Sequence, residues 1–336
     1  MINFAFDSHC DLPLYIYPKR AEGERSTLNK YYLKDMRAGS LKYLSAAIFI
    51  PPNFVPEKSL ENAMIQLLAI KQEIKECSDN FRLCTTREDL EAVEKSEKIG
   101  VLISIEGSEP FETDPEMLEI FHELGVRIIS LTWSRKNSFA DGCGFEKEEK
   151  EEKYGLTEKG KILLDKAKEL NMIIDVTHLS EKAFWDVLEY TPLPVFASHT
   201  NAQNVFNIKR NFTDEQIKAI SNRKGVIGVN GVSNFVAPTD EMSTKEFLTK
   251  HISYMANLCG PECVGLGLDL FVNYGNVTPE LLKSVQDGVV RIANDVVFGH
   301  NEIPLLIEEM KKAGLNESDI RKISGENFLN FFKKNL

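Results

Sequence analysis

The chain has 336 residues, 43% hydrophobic and 27% charged, a balance that supports a sizeable core and excludes wholesale disorder. Forty basic against 51 acidic residues leave a net charge of -11 with no basic cluster to offset it, which excludes nucleic acid as a partner. No basic-then-apolar leader opens the chain and no apolar run reaches the roughly 18 residues of a membrane span, so a cytoplasmic protein without a membrane contact is expected.

Short apolar, β-branched runs recur with helix-like segments between them, the pattern of parallel βαβ units. Strands are predicted near residues 2–7, 43–50, 99–105, 126–132, 172–177, 194–198, 226–231 and 262–268. Eight is the number that closes a (β/α)8 TIM barrel, and such barrels often exceed about 250 residues as one unit. Residues 1–336 therefore read as a single α/β domain. Thr157 opens an apolar-periodic stretch to Leu170, Ser180 caps the run to Leu188, and Thr213 caps the next. The charged run Glu146 to Lys153 reads as a solvated loop. Beyond the eighth strand a loop containing Gly and Asn leads to extra C-terminal helices. The last is expected from Ser318 to about Lys334, with Ile320, Ile323, Phe328, Phe331 and Phe332 as its apolar stripe. The six cysteines form no CxxC pair and are expected to be reduced thiols, Cys10 drawing notice because it lies between two candidate ligands.

Polar residues gather where these strands end. The first ends in Asp7-Ser8-His9-Cys10-Asp11, the third in Glu106-Gly107, the fifth in Asp175-Val176-Thr177-His178, the sixth in Ala197-Ser198-His199 and the eighth in Asp269. C-terminal strand ends are where barrel enzymes build active sites. His9 and Asp11, two apart on an extended segment, point to one side and can grip one metal. A lone histidine at such a place is more often a satisfied core or capping residue. Three of the six histidines at strand ends, with carboxylates at others, favour a metal site instead. His122, His251 and His300 fall on predicted helices or near a helix start and read as structural or surface residues. Imidazole and carboxylate without thiolate suit zinc, and also manganese, cobalt or iron. The ligands exceed what one open catalytic metal uses, which points to two divalent ions sharing a carboxylate.

The ordered motifs Asp7-Ser8-His9-Cys10-Asp11-Leu12-Pro13, Asp35-Met36-Arg37-Ala38-Gly39, Ile105-Glu106-Gly107, Gly155-Leu156-Thr157-Glu158-Lys159-Gly160, Ile173-Ile174-Asp175-Val176-Thr177-His178-Leu179-Ser180, Ser198-His199-Thr200-Asn201-Ala202, Arg210-Asn211, Gly265-Leu266-Gly267-Leu268-Asp269, Ile303-Pro304-Leu305-Leu306 and Gly325-Glu326-Asn327-Phe328-Leu329 resemble the membrane, or renal-type, dipeptidase family. The resemblance covers nearly the whole chain and implies an amidohydrolase-like barrel with two zinc ions. It implies that His9 and Asp11 hold one, His178 and His199 the other, and that Glu106 bridges them. It places Asp269 beside the bridging water as proton carrier and Arg210 at the substrate's terminal carboxylate, where a planar guanidinium forks well. It implies a dipeptidase acting on small dipeptides through a bridging hydroxide, and a homodimer is the family-based expectation.

Two residues depart from the family. Leu131-Thr132-Trp133 stands where animal members carry a His that is thought to hold the developing oxyanion. An indole N–H donates without charge, so Trp133 is read either as a weaker substrate-binding group or as packing. Phe271 stands where the family often has an Asp two residues after the equivalent of Asp269. A hydrolase of other small amides, N-acyl amino acids or lactones is the rival reading. A barrel that only binds a ligand is the rival from another class.

Overall fold

The computed structural model describes residues 4–144, 154–271 and 293–336. The predicted charged loop at 146–153 and residues 272–292 of the predicted segment after the last strand lie outside these residues, as do residues 2 and 3 of the first predicted strand.

Among the described residues nine short strands form one sheet, and every ladder in it is parallel. They are β1 (Ala5–Cys10), β2 (Leu41–Phe49), β3 (Phe81–Leu83), β4 (Ile99–Glu106), β5 (Val126–Ser130), β6 (Ile173–Asp175), β7 (Val195–Phe196), β8 (Ile227–Val229) and β9 (Val264–Leu266). Eight run in the order β7-β6-β5-β4-β2-β1-β9-β8. The bridge Ala197↔Ile227 joins the two edges, so the sheet closes as the predicted (β/α)8 barrel. The predicted set lacks one member, β3, which pairs with the first half of β4 outside that ring. Its three residues, Phe-Arg-Leu, are too short to show a period.

Strands buried on both faces explain the nearly continuous apolar runs of β2 and β4. Parallel pairing also brings all C-terminal ends to one rim. Each predicted cap accepts a backbone N–H there: Thr157 from Gly160, Ser180 from Ala183, and Thr213 from Gln216 in a capping box.

The opposite end is closed by aromatic rings. Phe6 stacks on Tyr43 at 5.4 Å and on Phe332 at 5.4 Å, while Phe196 meets Phe331 at 5.6 Å and Phe328 at 6.0 Å. The last helix, Asn327–Asn335, carries three of these rings. A Cβ at Gly265 would come within 2.3 Å of Phe328, so this β9 position must lack a side chain. The predicted single helix from Ser318 is instead Glu317–Arg321, a π-helical turn Lys322–Glu326, and Asn327–Asn335. All five residues of its predicted apolar stripe are buried. All six cysteines are free, and no helix among the described residues is long and apolar enough to cross a membrane.

Candidate metal centre

The rim gathers the five predicted ligands, together with Asp269, into three overlapping triads: His9-Asp11-Glu106, Glu106-His178-His199 and His9-His199-Asp269. His9 Nε2 stands 3.6 Å from Asp11 Oδ1 and 3.6 Å from Glu106 Oε2. The other Glu106 oxygen, Oε1, lies 2.9 Å from His178 Nε2 and 3.4 Å from His199 Nε2. One carboxylate thus turns a different oxygen to each of two ligand sets. Asp269 reaches both sets, with Oδ1 3.9 Å from His9 Nε2 and Oδ2 3.9 Å from His199 Nε2.

The positions differ from the simple strand-end expectation in one respect. Asp11 does not share an extended segment with His9: it has left β1 and is the N-cap residue of helix Leu12–Ala21, with φ -71° and ψ 30°. The turn, rather than strand alternation, brings its carboxylate to His9. His178 and Asp269 lie three residues past their strands in left-handed backbone, φ 68° and 56°. Such conformations cost a non-glycine residue about 1–3 kcal/mol and persist where surroundings impose them. The His178 carbonyl accepts the Cys143 N–H at 2.8 Å and the Thr132 hydroxyl at 3.3 Å. Asp269 donates its N–H to His9 O at 3.2 Å, and its Oδ2 accepts the Asn230 amide at 3.0 Å. Gly107, beside Glu106, has φ 86°, and a Cβ there would lie 2.4 Å from Glu109 Oε2.

Burial and crowding set the charges. Burial pushes the Glu106 carboxyl well above the usual range, and Asp11 and Asp269 push the same way. Burial raises Asp269 to about 7, with Asp11 adding to the rise and His9 and Arg210 opposing it. Burial, with Arg210 and His9 nearby, holds His178 and His199 well below the normal imidazole value, so both rings are neutral, the form in which imidazole can bind a metal. At His9 burial works against a charge, yet Glu106, Asp11 and Asp269 outweigh it and raise the ring to about 10. The place these carboxylates hold for a proton is one a cation suits better.

Two further features test that fit. His9 Nε2 and Asp11 Oδ1 are buried without a hydrogen-bond partner. Donors at about 2.0–2.2 Å from a zinc ion spread to roughly 3.3–3.5 Å from one another in a tetrahedron, close to the 3.6 Å spacings around His9. The donor set fits a divalent cation of the zinc type. Cys10 is buried with the apolar core and belongs to none of the triads.

Arg210 is buried against the same cluster. Its Nη2 donates to His199 O at 2.7 Å and lies 3.2 Å from His178 Nε2, its guanidinium lies 5.3 Å from the Phe235 ring, and its Nε and Nη1 have no partner. Trp133 forms a wall beside His178, ring centroids 5.9 Å apart, with Phe49 and Arg135 packed around it at 5.3 Å. Phe271 is half-buried, its N–H bonded to Asp295 at 3.2 Å. The remaining histidines are structural. His251 accepts the Ala202 N–H and donates to Val236 O, while His300 bonds Asp7 at 2.8 Å; both are fully buried, and His122 is half-buried on its helix. Asn230 and Ser134, which contact Asp269 and His178, were not foreseen. Neither stands in a motif that marks it.

The family described as membrane dipeptidase (peptidase family M19) matches residues 3–335. An uncharacterized protein in the pqqA 5' region of Klebsiella pneumoniae is 30% identical over 283 residues, 83% of this chain and 98% of that one. The dipeptidase tcpJ of Claviceps purpurea is 23% identical over 83% of this chain, which spans only 61% of that protein's length. Among solved structures, a metallo peptidase from Rhodobacter sphaeroides bound to a phosphinate mimic of the dipeptide L-Ala-D-Ala superposes with a TM-score of 0.84 at 22% identity, covering 100% of both chains.

Proposed function

This chain belongs to the membrane dipeptidase family, and on that premise we propose that it is a metal-dependent dipeptidase that cleaves small dipeptides at a two-cation centre. The observation that carries this reading is Glu106, whose two oxygens serve two separate sets of nitrogen and oxygen donors. His9 and Asp11 would hold one ion, His178 and His199 the other, with Glu106 between them. When bound, two such ions, zinc by donor chemistry, supply an acidified water and a Lewis acid for the scissile carbonyl.

The protein's own groups do the rest. Asn230 occupies Asp269 Oδ2, which leaves Oδ1 to carry a proton from the water to the departing amine nitrogen. Arg210 presents two buried donor nitrogens without acceptors, a place for the substrate's terminal carboxylate. A substrate held by its carboxylate beside the cations keeps a single residue on the C-terminal side of the scissile bond, as a dipeptide has. Trp133 walls the His178 side and shapes that end of the substrate.

Trp133 also keeps the second reading open, because an uncharged indole suits a hydrolase of N-acyl amino acids, other small amides or lactones. Elemental analysis joined to a panel of dipeptides, N-acyl amino acids and lactones tests both readings. Two divalent ions per chain with fastest turnover of free dipeptides is the expected result. Full activity with one ion or none ends the two-cation reading, and preference for a lactone ends the dipeptidase reading.

A further inference from the structure

Asp175, at the end of β6, takes no place in the ligand triads although it is buried beside them. Its Oδ1 accepts the backbone N–H groups of Thr177 and Ser198, each at 3.0 Å. Its Oδ2 accepts the Ser198 hydroxyl at 2.5 Å. A serine hydroxyl has one proton, and here a carboxylate takes it. The Ser198 oxygen is left as an acceptor.

Two imidazoles meet that oxygen through Nδ1: His199 at 2.7 Å and His9 at 3.4 Å. A ring nitrogen facing an oxygen that can only accept must carry a hydrogen. Both rings are therefore held with a proton on Nδ1, and Nε2 is directed at the carboxylates of the centre. The rings lie 3.7 Å apart, centroid to centroid, so one hydroxyl can serve both. His178 has its own partner at Nδ1, 2.6 Å from Ser134 Oγ, while its Nε2 lies 2.9 Å from His199 Nε2.

We propose that Asp175 and Ser198 are a positioning pair that fixes the tautomer and orientation of one histidine from each ligand set, so that the two cation sites are organised by a single hydroxyl. The coupling of the two sites rests on the two-cation reading above; the tautomer assignment does not. Carboxylate or hydroxyl partners behind metal-binding histidines typically change metal affinity about 10- to 100-fold when removed.

Asp175→Asn tests the pair most directly. An asparagine retains Oδ1 for the two backbone donors but presents an amide N–H to Ser198, so the hydroxyl turns its proton towards the rings. Long-range nitrogen-15 spectra of histidine-labelled, metal-free protein should then show His199 moving from the Nδ1–H to the Nε2–H form. The urea midpoint of the metal-free protein should hold. In chelator competition with zinc, Ser198→Ala and Asp175→Asn should weaken both binding steps by roughly 10- to 100-fold, and Ser134→Ala only one. An unchanged His199 tautomer in Asp175→Asn overturns the positioning pair, and a loss confined to one binding step overturns the coupling. A wild-type protein that binds a single zinc defeats the two-cation reading and its coupling, while the spectra still decide the tautomer.

Discussion

Replacing Arg210 by methionine tests how the substrate is held. Methionine keeps an unbranched apolar stem against Phe235 but removes every donor, including the unpartnered Nε and Nη1. A hydrogen bond between charged groups contributes about 1.5–3 kcal/mol, which is roughly 10- to 150-fold in kcat/KM. The substitution also removes the contacts of Nη2 with His199 O at 2.7 Å and His178 Nε2 at 3.2 Å, so its total effect mixes substrate and protein contacts. A ratio separates them. In the wild type, a dipeptide with a free carboxylate should be cut about 10- to 150-fold faster, as kcat/KM, than its C-terminal amide, and in Arg210→Met the two should be cut alike. The loss of the protein contacts slows both substrates equally and cancels. Metal content should be unchanged, because Arg210 belongs to none of the ligand triads. If the variant still prefers the free carboxylate, or the wild type never did, the carboxylate is bound elsewhere and the argument from the orphaned donors fails.

Asp269→Asn preserves shape but removes the proton-carrying oxygen, and kcat should fall at least about a hundredfold with most metal retained; near-normal turnover would assign the role to another group. His251 is neutral in the fold because burial holds it down at about 4, against 6.5 when exposed. A lowered histidine value adds stability above about pH 6.5 that is lost as pH falls through about 4, roughly 2 kcal/mol of it by pH 5. Urea unfolding of metal-free protein at pH 7.5 and pH 5 should show a loss about 2 kcal/mol smaller in His251→Gln than in the wild type, the rest coming from other lowered groups such as His178 and His199; equal losses refute it. Phe332, fully buried under the barrel, should cost about 3–5 kcal/mol as alanine in the same unfolding assay, with zinc affinity unaltered because its contacts lie at the opposite end from the ligands.

The barrel was legible because its eight principal strands are buried on both faces and read as apolar runs, and because parallel strands deliver their polar C-terminal residues to one rim. Those two facts bring His9, Glu106, His178, His199 and Asp269 together from the sequence. Long-range partners were not legible. Asp7 and His300, 293 residues apart, meet in the core, yet nothing near either residue marks the other. Ser134 reaches His178 from a segment without a periodic signal. The π-helical turn at Lys322–Glu326 leaves only one mark in the sequence, the five-residue step from Ile323 to Phe328 in the apolar stripe, and a single irregular step does not identify a turn type.

The aromatic floor bears on how such a chain is made. Phe6 leaves a ribosome 326 residues ahead of Phe332, yet the two stack on each other. While synthesis proceeds, Phe6, Tyr43 and Phe196 wait with their lower partners missing, and a nascent barrel is open at the bottom. Contacts between distant parts of a chain form slowly, because loop closure must precede any gain from packing. Vectorial folding from the N-terminus therefore cannot finish this domain by itself. The last helix acts as a stopper whose arrival ends the period in which the half-built sheet exposes sticky surface, and chains stopped before Phe328 should collect in aggregates or with chaperones.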